Sequence, residues 1–203
     1  MATTSAGAVR RGRPPLGEAL TRGDVVRAAA ELVDREGWNA LSLAQVARRL
    51  GRHASSMYAH VDSLEELRTE IGLLAATELA DAVWAAVLGK VGADALAAIA
   101  AEYRSYAAAH PGRTASLSAV DQDDPGFAAR MARLHQPLAA TFRSFGLDEE
   151  QASIAHRVFG ATINGLVSTG GTAETENAVA LFVTALSTGT WPARPARKRR
   201  ARG

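Results

Sequence analysis

The 203-residue sequence has no cysteine, which excludes a disulfide framework, a thiol nucleophile and a zinc ribbon and makes a reducing compartment the natural reading. Only 5% of its residues are aromatic, yet 47% are apolar, enough for one or two soluble domains with a substantial core. Long apolar runs are missing: the stretch from Leu73 to Leu88 is broken by Glu78 and Asp81, and no run approaches the roughly 20 residues of a membrane span. At the amino end Arg10, Arg11 and Arg13 lead into Pro14-Pro15 instead of an apolar segment, so no secretory signal is expected and the chain is read as cytoplasmic. Strand-like alternation is also missing. Alanine is abundant and β-branched runs are scarce, so the expectation is an all-α protein.

Catalytic patterns are equally scarce. Five histidines, at 53, 60, 110, 135 and 156, show no His-x-x-x-His spacing, and no glycine-rich loop follows a strand. Asp121, Asp123 and Asp124 precede a helix and read as loop and cap. Neither an enzyme, a cofactor nor a metal site is expected.

What is present is a segregated charge. The formal net charge is +2, but residues 1–23 carry four arginines against one glutamate, and residues 191–203 carry six basic residues and no acidic one. Between 69 and 190 acidic residues prevail. Basic ends around an acidic middle suggest contact with a polyanion, because a segregated field steers binding where an averaged charge does not.

Residues 1–20 are rich in Gly, Pro and Arg and read as a flexible basic arm, residues 191–203 as a disordered basic tail. A first helix is expected from about Asp24 to Glu36, with Thr21 and Asp24 as a capping pair and Gly37 as its stop. Ser42 and Gln45 form a Ser-x-x-Gln capping box for a short helix to Leu50, which Gly51 ends. After Gly51, Arg52 and His53 a further helix is expected from about Ala54 to His60, and Ser63 with Glu66 caps a long one to about Val87. Later helices are expected over about 93–109, 114–120, 125–145, 149–169 and 173–187, about nine in all. Asp124 and Asp148 serve as caps, and Pro137 should kink or split the helix that contains it.

Two short helices joined by a glycine turn form the helix-turn-helix arrangement, whose second helix enters the major groove of DNA. Val46, Ala47, Leu50, Met57 and Val61 read as the core that sets the angle between them. Ser42 can cap its helix while the terminus faces a phosphate. Arg48, Arg49 and Arg52 have no acidic neighbour between Ala44 and His60, which fits a solvated face or phosphate contact equally. Direct base reading relies on Arg or Lys to guanine and Asn or Gln to adenine. The recognition segment holds instead Ala54, Ser55, Ser56, Ala59 and His60, so Ser55, Ser56, Arg52 and His53 are the candidate base-side contacts.

The runs Leu41-Ser42-Leu43-Ala44-Gln45-Val46-Ala47-Arg48-Arg49-Leu50-Gly51, Ser56-Met57-Tyr58-Ala59-His60-Val61 and Ser63-Leu64-Glu65-Glu66-Leu67 resemble the TetR family of bacterial repressors over roughly residues 20–70. The resemblance implies a dimer of all-helical subunits. It also implies a three-helix DNA-binding domain, here 21–68, followed by a domain that dimerises and binds a small effector, here 69–190. By the same resemblance Tyr58 and His60 contact phosphates. Leu64 stands where the family usually has a lysine, which removes one phosphate contact. Arg11-Gly12-Arg13-Pro14 resembles the core of an AT-hook, so Arg11 and Arg13 are candidates for an A·T-rich minor groove. Tyr103-Arg104-Ser105-Tyr106, His110-Pro111-Gly112-Arg113 and Phe159 to Leu166 resemble more weakly a subgroup with a Trp-x-x-x-x-His-Gly signature, this chain having Phe159 and Asn164 at the Trp and His positions.

Candidate ligand-binding residues are Tyr103, Tyr106, His110, Phe127, Met131, His135, Phe159 and Asn164, since ligand sites mix apolar walls with a few polar groups. The helices over 149–169 and 173–187 are the expected homodimer face. The reading is a ligand-responsive repressor on a palindromic double-stranded DNA operator in a bacterial nucleoid, released by an unknown small-molecule effector. The alternative is an architectural DNA-binding protein of low sequence specificity.

Overall fold

Helical structure begins at Arg22 in the computed structural model, which describes residues 20–189 apart from 122, 170 and 171. The expected basic arm, with Arg11 and Arg13, and the basic tail lie outside the described residues. The Thr21 hydroxyl accepts the Asp24 backbone N–H at 3.2 Å, and the Asp24 carboxylate accepts the Thr21 N–H at 2.9 Å. This reciprocal box makes Thr21 the cap, so α1 (Arg22–Glu36) starts ahead of the expected Asp24. Gly37, at φ +84°, ends it.

A 3-10 turn, Trp38–Ala40, leads to α2 (Leu43–Leu50). Ser42 caps α2 by accepting the Gln45 N–H at 3.3 Å, but the Gln45 side chain does not return the bond and its Oε1 is buried without a partner. Only the serine half of the expected box forms. Gly51 takes the left-handed conformation, φ +66° and ψ +36°, and its N–H satisfies the carbonyls of Ala47 and Arg48. The next element, Ala54–Ala59, is a 3-10 helix and not the expected α-helix to His60. Six residues are too few for much i→i+4 bonding, and the Ser56 hydroxyl bonds locally to the His53 carbonyl at 2.6 Å.

The remaining elements are α3 (Leu64–Ala86), α4 (Gly92–Ala109), α5 (Pro111–Ala119), α6 (Pro125–Ser144), α7 (Glu149–Ser168) and α8 (Thr172–Ser187). Among the described residues there are eight α-helices, two 3-10 helices and no strand. α5 starts earlier than the expected Thr114, because Pro111 is preorganised for the first helical position. Pro137 neither splits α6 nor ends it. A proline frees the carbonyl four residues before it, here that of Arg133, and the Trp84 indole N–H of α3 donates to this oxygen at 3.1 Å. A tertiary donor replaces the missing helical one.

Buried apolar residues form two clusters. The first joins α1, α2 and the recognition turn through Val25, Leu32, Val46, Met57 and Val61; the second joins α3 to α8 around Leu79, Leu96, Phe127, Phe142 and Phe159. α3 belongs to both: Leu67 and Ile71 sit in the first cluster, Ala75 to Val83 in the second. Two glycines set the close approaches. A Cβ on Gly72 would lie 2.2 Å from the Val120 Cγ2, and one on Gly112 would lie 2.2 Å from the Val33 carbonyl, so the start of α5 rests on the backbone of α1.

Candidate functional site

The helix-turn-helix surface is built around two fixed points, the left-handed Gly51 and the fully buried Met57. Burying Met57, with Val46, Ala47 and Val61, turns the rest of the Ala54–Ala59 segment outward. Arg52, His53, Ala54, Ser55 and Ala59 are exposed, and Tyr58 is 61% exposed. A tyrosine that only packed would not stand so far out of the core. His60 is half-buried, and its carbonyl accepts from the Arg22 guanidinium at 3.2 Å. Ser56 is half-buried and occupied by its bond to His53. Ser42 is half-buried at the start of α2, its hydroxyl used as the cap.

The arginines divide. Arg48 and Arg52 are exposed. Arg49 meets Glu31 of α1 at 3.4 Å, a carboxylate that lies 18 residues earlier, outside the acid-free stretch from Ala44 to His60. Arg22 is tied to Glu66 at 2.5 Å and Glu70 at 2.8 Å, which fixes α1 to α3.

A charge cluster joins α1, α3, α4 and α5. Asp34, whose side chain is 10% exposed, accepts the Arg113 backbone N–H at 2.9 Å, lies 3.1 Å from the Arg113 Nε and meets the His110 Nδ1 at 3.2 Å. Arg113 continues to Glu78 at 3.0 Å, where the Tyr106 hydroxyl also donates at 2.9 Å. Burial first, then the Glu78 charge, pushes the Tyr106 phenol far above its ordinary range. Tyr106 and His110 are thus engaged in this cluster, away from the cavity described next, and Phe127 is fully buried in the second core. These three of the expected ligand contacts do not line it.

The other five do. A cavity of about 390 Å³ between α3, α4, α5, α6 and α7 is lined by Tyr103, Met131, His135, Phe159 and Asn164, among apolar walls that include Val83 of α3 and Leu117 of α5. The Tyr103 hydroxyl donates to the Asn164 Oδ1 at 2.6 Å, and burial holds its phenol up at about 12. His156, not among the expected contacts, also lines it. Its ring meets His135 edge to face, with centroids 4.3 Å apart. Burial, with His156 beside it, pushes the His135 imidazole down to about 4, and burial also lowers His156, with Arg157 adding to it. Helical spacing carried a signal for His156, because 156, 159, 160 and 163 form one stripe of α7 and all four line the cavity. No group of three or more potential metal ligands occurs among the described residues. No helix among them is long and apolar enough to cross a membrane.

Residues 96–186 match the model of the tetracyclin repressor-like C-terminal domain. A protein of Mycobacterium tuberculosis described as an uncharacterized HTH-type transcriptional regulator is 35% identical over 167 residues, 77% of each chain. Among solved structures, a Rhodococcus protein of unknown function superposes with a TM-score of 0.67 at 21% identity, over 88% of this chain and 97% of its own. BioQ, crystallised with its double-stranded DNA operator, superposes with a TM-score of 0.63 at 18% identity, over 84% and 99%. The helix-turn-helix geometry, the C-terminal match and the identity across three quarters of both chains agree: the chain belongs to the TetR family of transcriptional regulators.

Proposed function

We propose that the protein is a ligand-responsive repressor that binds a palindromic double-stranded DNA operator as a homodimer, on nucleoid DNA in the cytoplasm, and is released by a small-molecule effector. Residues 21–68 read the DNA, and residues 69–190 hold the effector and dimerise. The observation that carries this reading is α3. One end of it joins the buried cluster of the recognition turn through Leu67, and the other lines the cavity through Val83, about 24 Å away at 1.5 Å per residue. An occupant that fits only one tilt of α3 therefore biases the spacing of the paired recognition turns, to the extent of its differential affinity.

On the DNA, Tyr58, Ser42 and His60 meet phosphates, while Arg52, His53 and Ser55 project from the turn towards the major groove, with Ser56 and Arg49 positioned behind them. The recognition turn carries no side chain of the bidentate kind, so Arg11 and Arg13 supply readout from the minor groove. BioQ, of the same fold, is captured on its operator. For the homodimer face, Ile154 and Val158 of α7 and Leu181 of α8 are large apolar residues left exposed on the single chain.

A titration against a selected palindrome and against random DNA, over a range of salt, tests the reading. A specificity ratio of roughly 10³ or more is expected. A ratio near unity with a steep salt slope would instead identify an architectural DNA-binding protein. Tyr58→Ala should weaken operator binding with the helical signal unchanged, and Arg11→Ala with Arg13→Ala should weaken it most where A·T pairs flank the half-sites.

A further inference from the structure

We propose that the cavity takes a carboxylic acid with an apolar body, bound as its monoanion against the paired imidazoles of His135 and His156, and that binding takes up one proton from solvent. The proposal rests on the reading of this cavity as the effector site and adds the chemical class of the ligand.

Three features of the cavity carry it. Among the described residues no Lys, Arg, Asp or Glu lines the cavity, so a cationic or doubly charged ligand finds no counter-charge from them. Tyr103 and Asn164, the polar pair on one wall, already satisfy each other at 2.6 Å. His135 and His156 are different: the rings touch one another, but neither forms a hydrogen bond or an ion pair to any described residue. Among the described lining residues, these two imidazoles, facing an apolar cavity with free ring nitrogens, are the only groups that can become cationic.

The surroundings of the pair favour one proton and not two. Two imidazolium ions with centroids 4.3 Å apart repel, and Arg157 lies beyond His156 on the same helix. From α4 the titratable neighbour is Tyr103, a phenol. The α3 carboxylates are engaged elsewhere, Glu78 with Arg113 and Tyr106, Asp81 with Arg133 at 2.6 Å. In the empty cavity the pair is therefore neutral. A carboxylate entering it gains by drawing a proton onto one imidazole, whose N–H then donates a charge-assisted bond to the carboxylate oxygen. The proton comes from solvent and forms the new N–H bond, no other covalent bond changes, and the site holds an ion pair of zero net charge.

Isothermal titration calorimetry of the full chain tests this with octanoate and 4-phenylbutyrate, each beside its primary amide, in two buffers of different ionisation enthalpy. The acids are expected to bind roughly tenfold or more tightly than the amides at pH 6.5, with uptake of close to one proton. Acid affinity should fall about tenfold per unit as pH rises, between the pKa of the free pair and that of the complex. His135→Asn and His156→Asn should each remove the preference for the acid while leaving amide binding. Proton uptake in the unsubstituted protein decides the matter even if a variant fails to fold. Equal affinity for acid and amide, zero uptake, or no binding of either acid overturns the proposal. Gly160→Leu separates the two claims, because a Cβ at Gly160 meets nothing within 4 Å and a longer side chain there fills the cavity. If it blocks a bound amide, the cavity reading stands when the acid class fails. If binding survives it unchanged, the cavity reading fails with it.

Discussion

Replacing Asp34 should destabilise the protein far more than replacing an ordinary surface carboxylate. Asp34 sits at the end of α1, nearly buried, where it accepts the Arg113 backbone N–H at 2.9 Å, pairs with the Arg113 guanidinium at 3.1 Å and meets the His110 Nδ1 at 3.2 Å. Removing one partner of a buried pair costs about 3–5 kcal/mol when the other charge is left uncompensated. Arg113 retains Glu78 at 3.0 Å, and the His110 side chain is 34% exposed and can turn to water, so Asp34→Ala belongs at the low end, about 3 kcal/mol. Asp34→Asn keeps an acceptor for the backbone N–H and loses only the ion pairs, so about 1–2 kcal/mol is expected. Glu31 is the comparison: it also holds two arginines, Arg35 at 2.9 Å and Arg49 at 3.4 Å, but is exposed, and Glu31→Ala should cost no more than about 1 kcal/mol. Urea unfolding followed by helical circular dichroism, at one protein concentration, gives all three. If Asp34→Ala falls within 1 kcal/mol of the unsubstituted protein, or no further than Glu31→Ala, the cluster is not the buried tie described.

Trp84→Phe should cost about 1 kcal/mol by orphaning the Arg133 carbonyl, and far less in a Pro137→Ala background, where the helix supplies its own donor; strictly additive losses would refute the link. Met57→Ala should cost about 2–5 kcal/mol, since the side chain is fully buried at the pivot of the recognition turn, and thermal unfolding reads it directly. His135 lies near pH 4 when folded and near 6.5 when unfolded, so the unfolded chain binds the proton first. Its contribution, of the order of 3 kcal/mol, should be fully present above pH 6.5 and be lost as pH falls towards 4. A His135→Asn variant whose stability falls as steeply as the parent's across that window would show that another group is responsible.

Local chemistry was the legible part. Thr21, Ser42, Ser63, Asp124 and Asp148 all cap the helices that follow them, because a cap is decided by a few consecutive residues. What the sequence hid depends on distant partners. Pro137 reads as a helix breaker until Trp84, 53 positions earlier, is found to supply the missing donor. Arg49 lies in an acid-free stretch of sequence, and Glu31 of α1 approaches it from outside that stretch. Tyr106 and His110 have the polar tips of ligand contacts, but Glu78 and Asp34 claim both, and only the packing of α4 on α3 and of α5 on α1 brings those carboxylates near. His156 had a readable position on the stripe of Phe159 and Ile163. Its pairing with His135 did not, because that depends on how α6 and α7 cross.

The glycines at the crossings bear on how the two cores communicate. Where large side chains separate two helices, rotamer changes can take up a small displacement before the backbones feel it. At Gly112 no such padding exists, because the start of α5 lies directly on the α1 backbone at Val33 and Asp34; at Gly72 a single side chain, Val120 at the end of α5, fills the gap to α3. Close-packed interiors transmit a shift instead of diluting it. Two packed connections therefore join the second core to the first. One runs along α3 itself, from Val83 to Leu67. The other runs from α3 through α5 into α1, clamped at its far end by Asp34 and Arg113. Leu67 of α3 and Val33 of α1 both belong to the small core around Met57, so a tilt of α3 would displace the first directly and the second through α5.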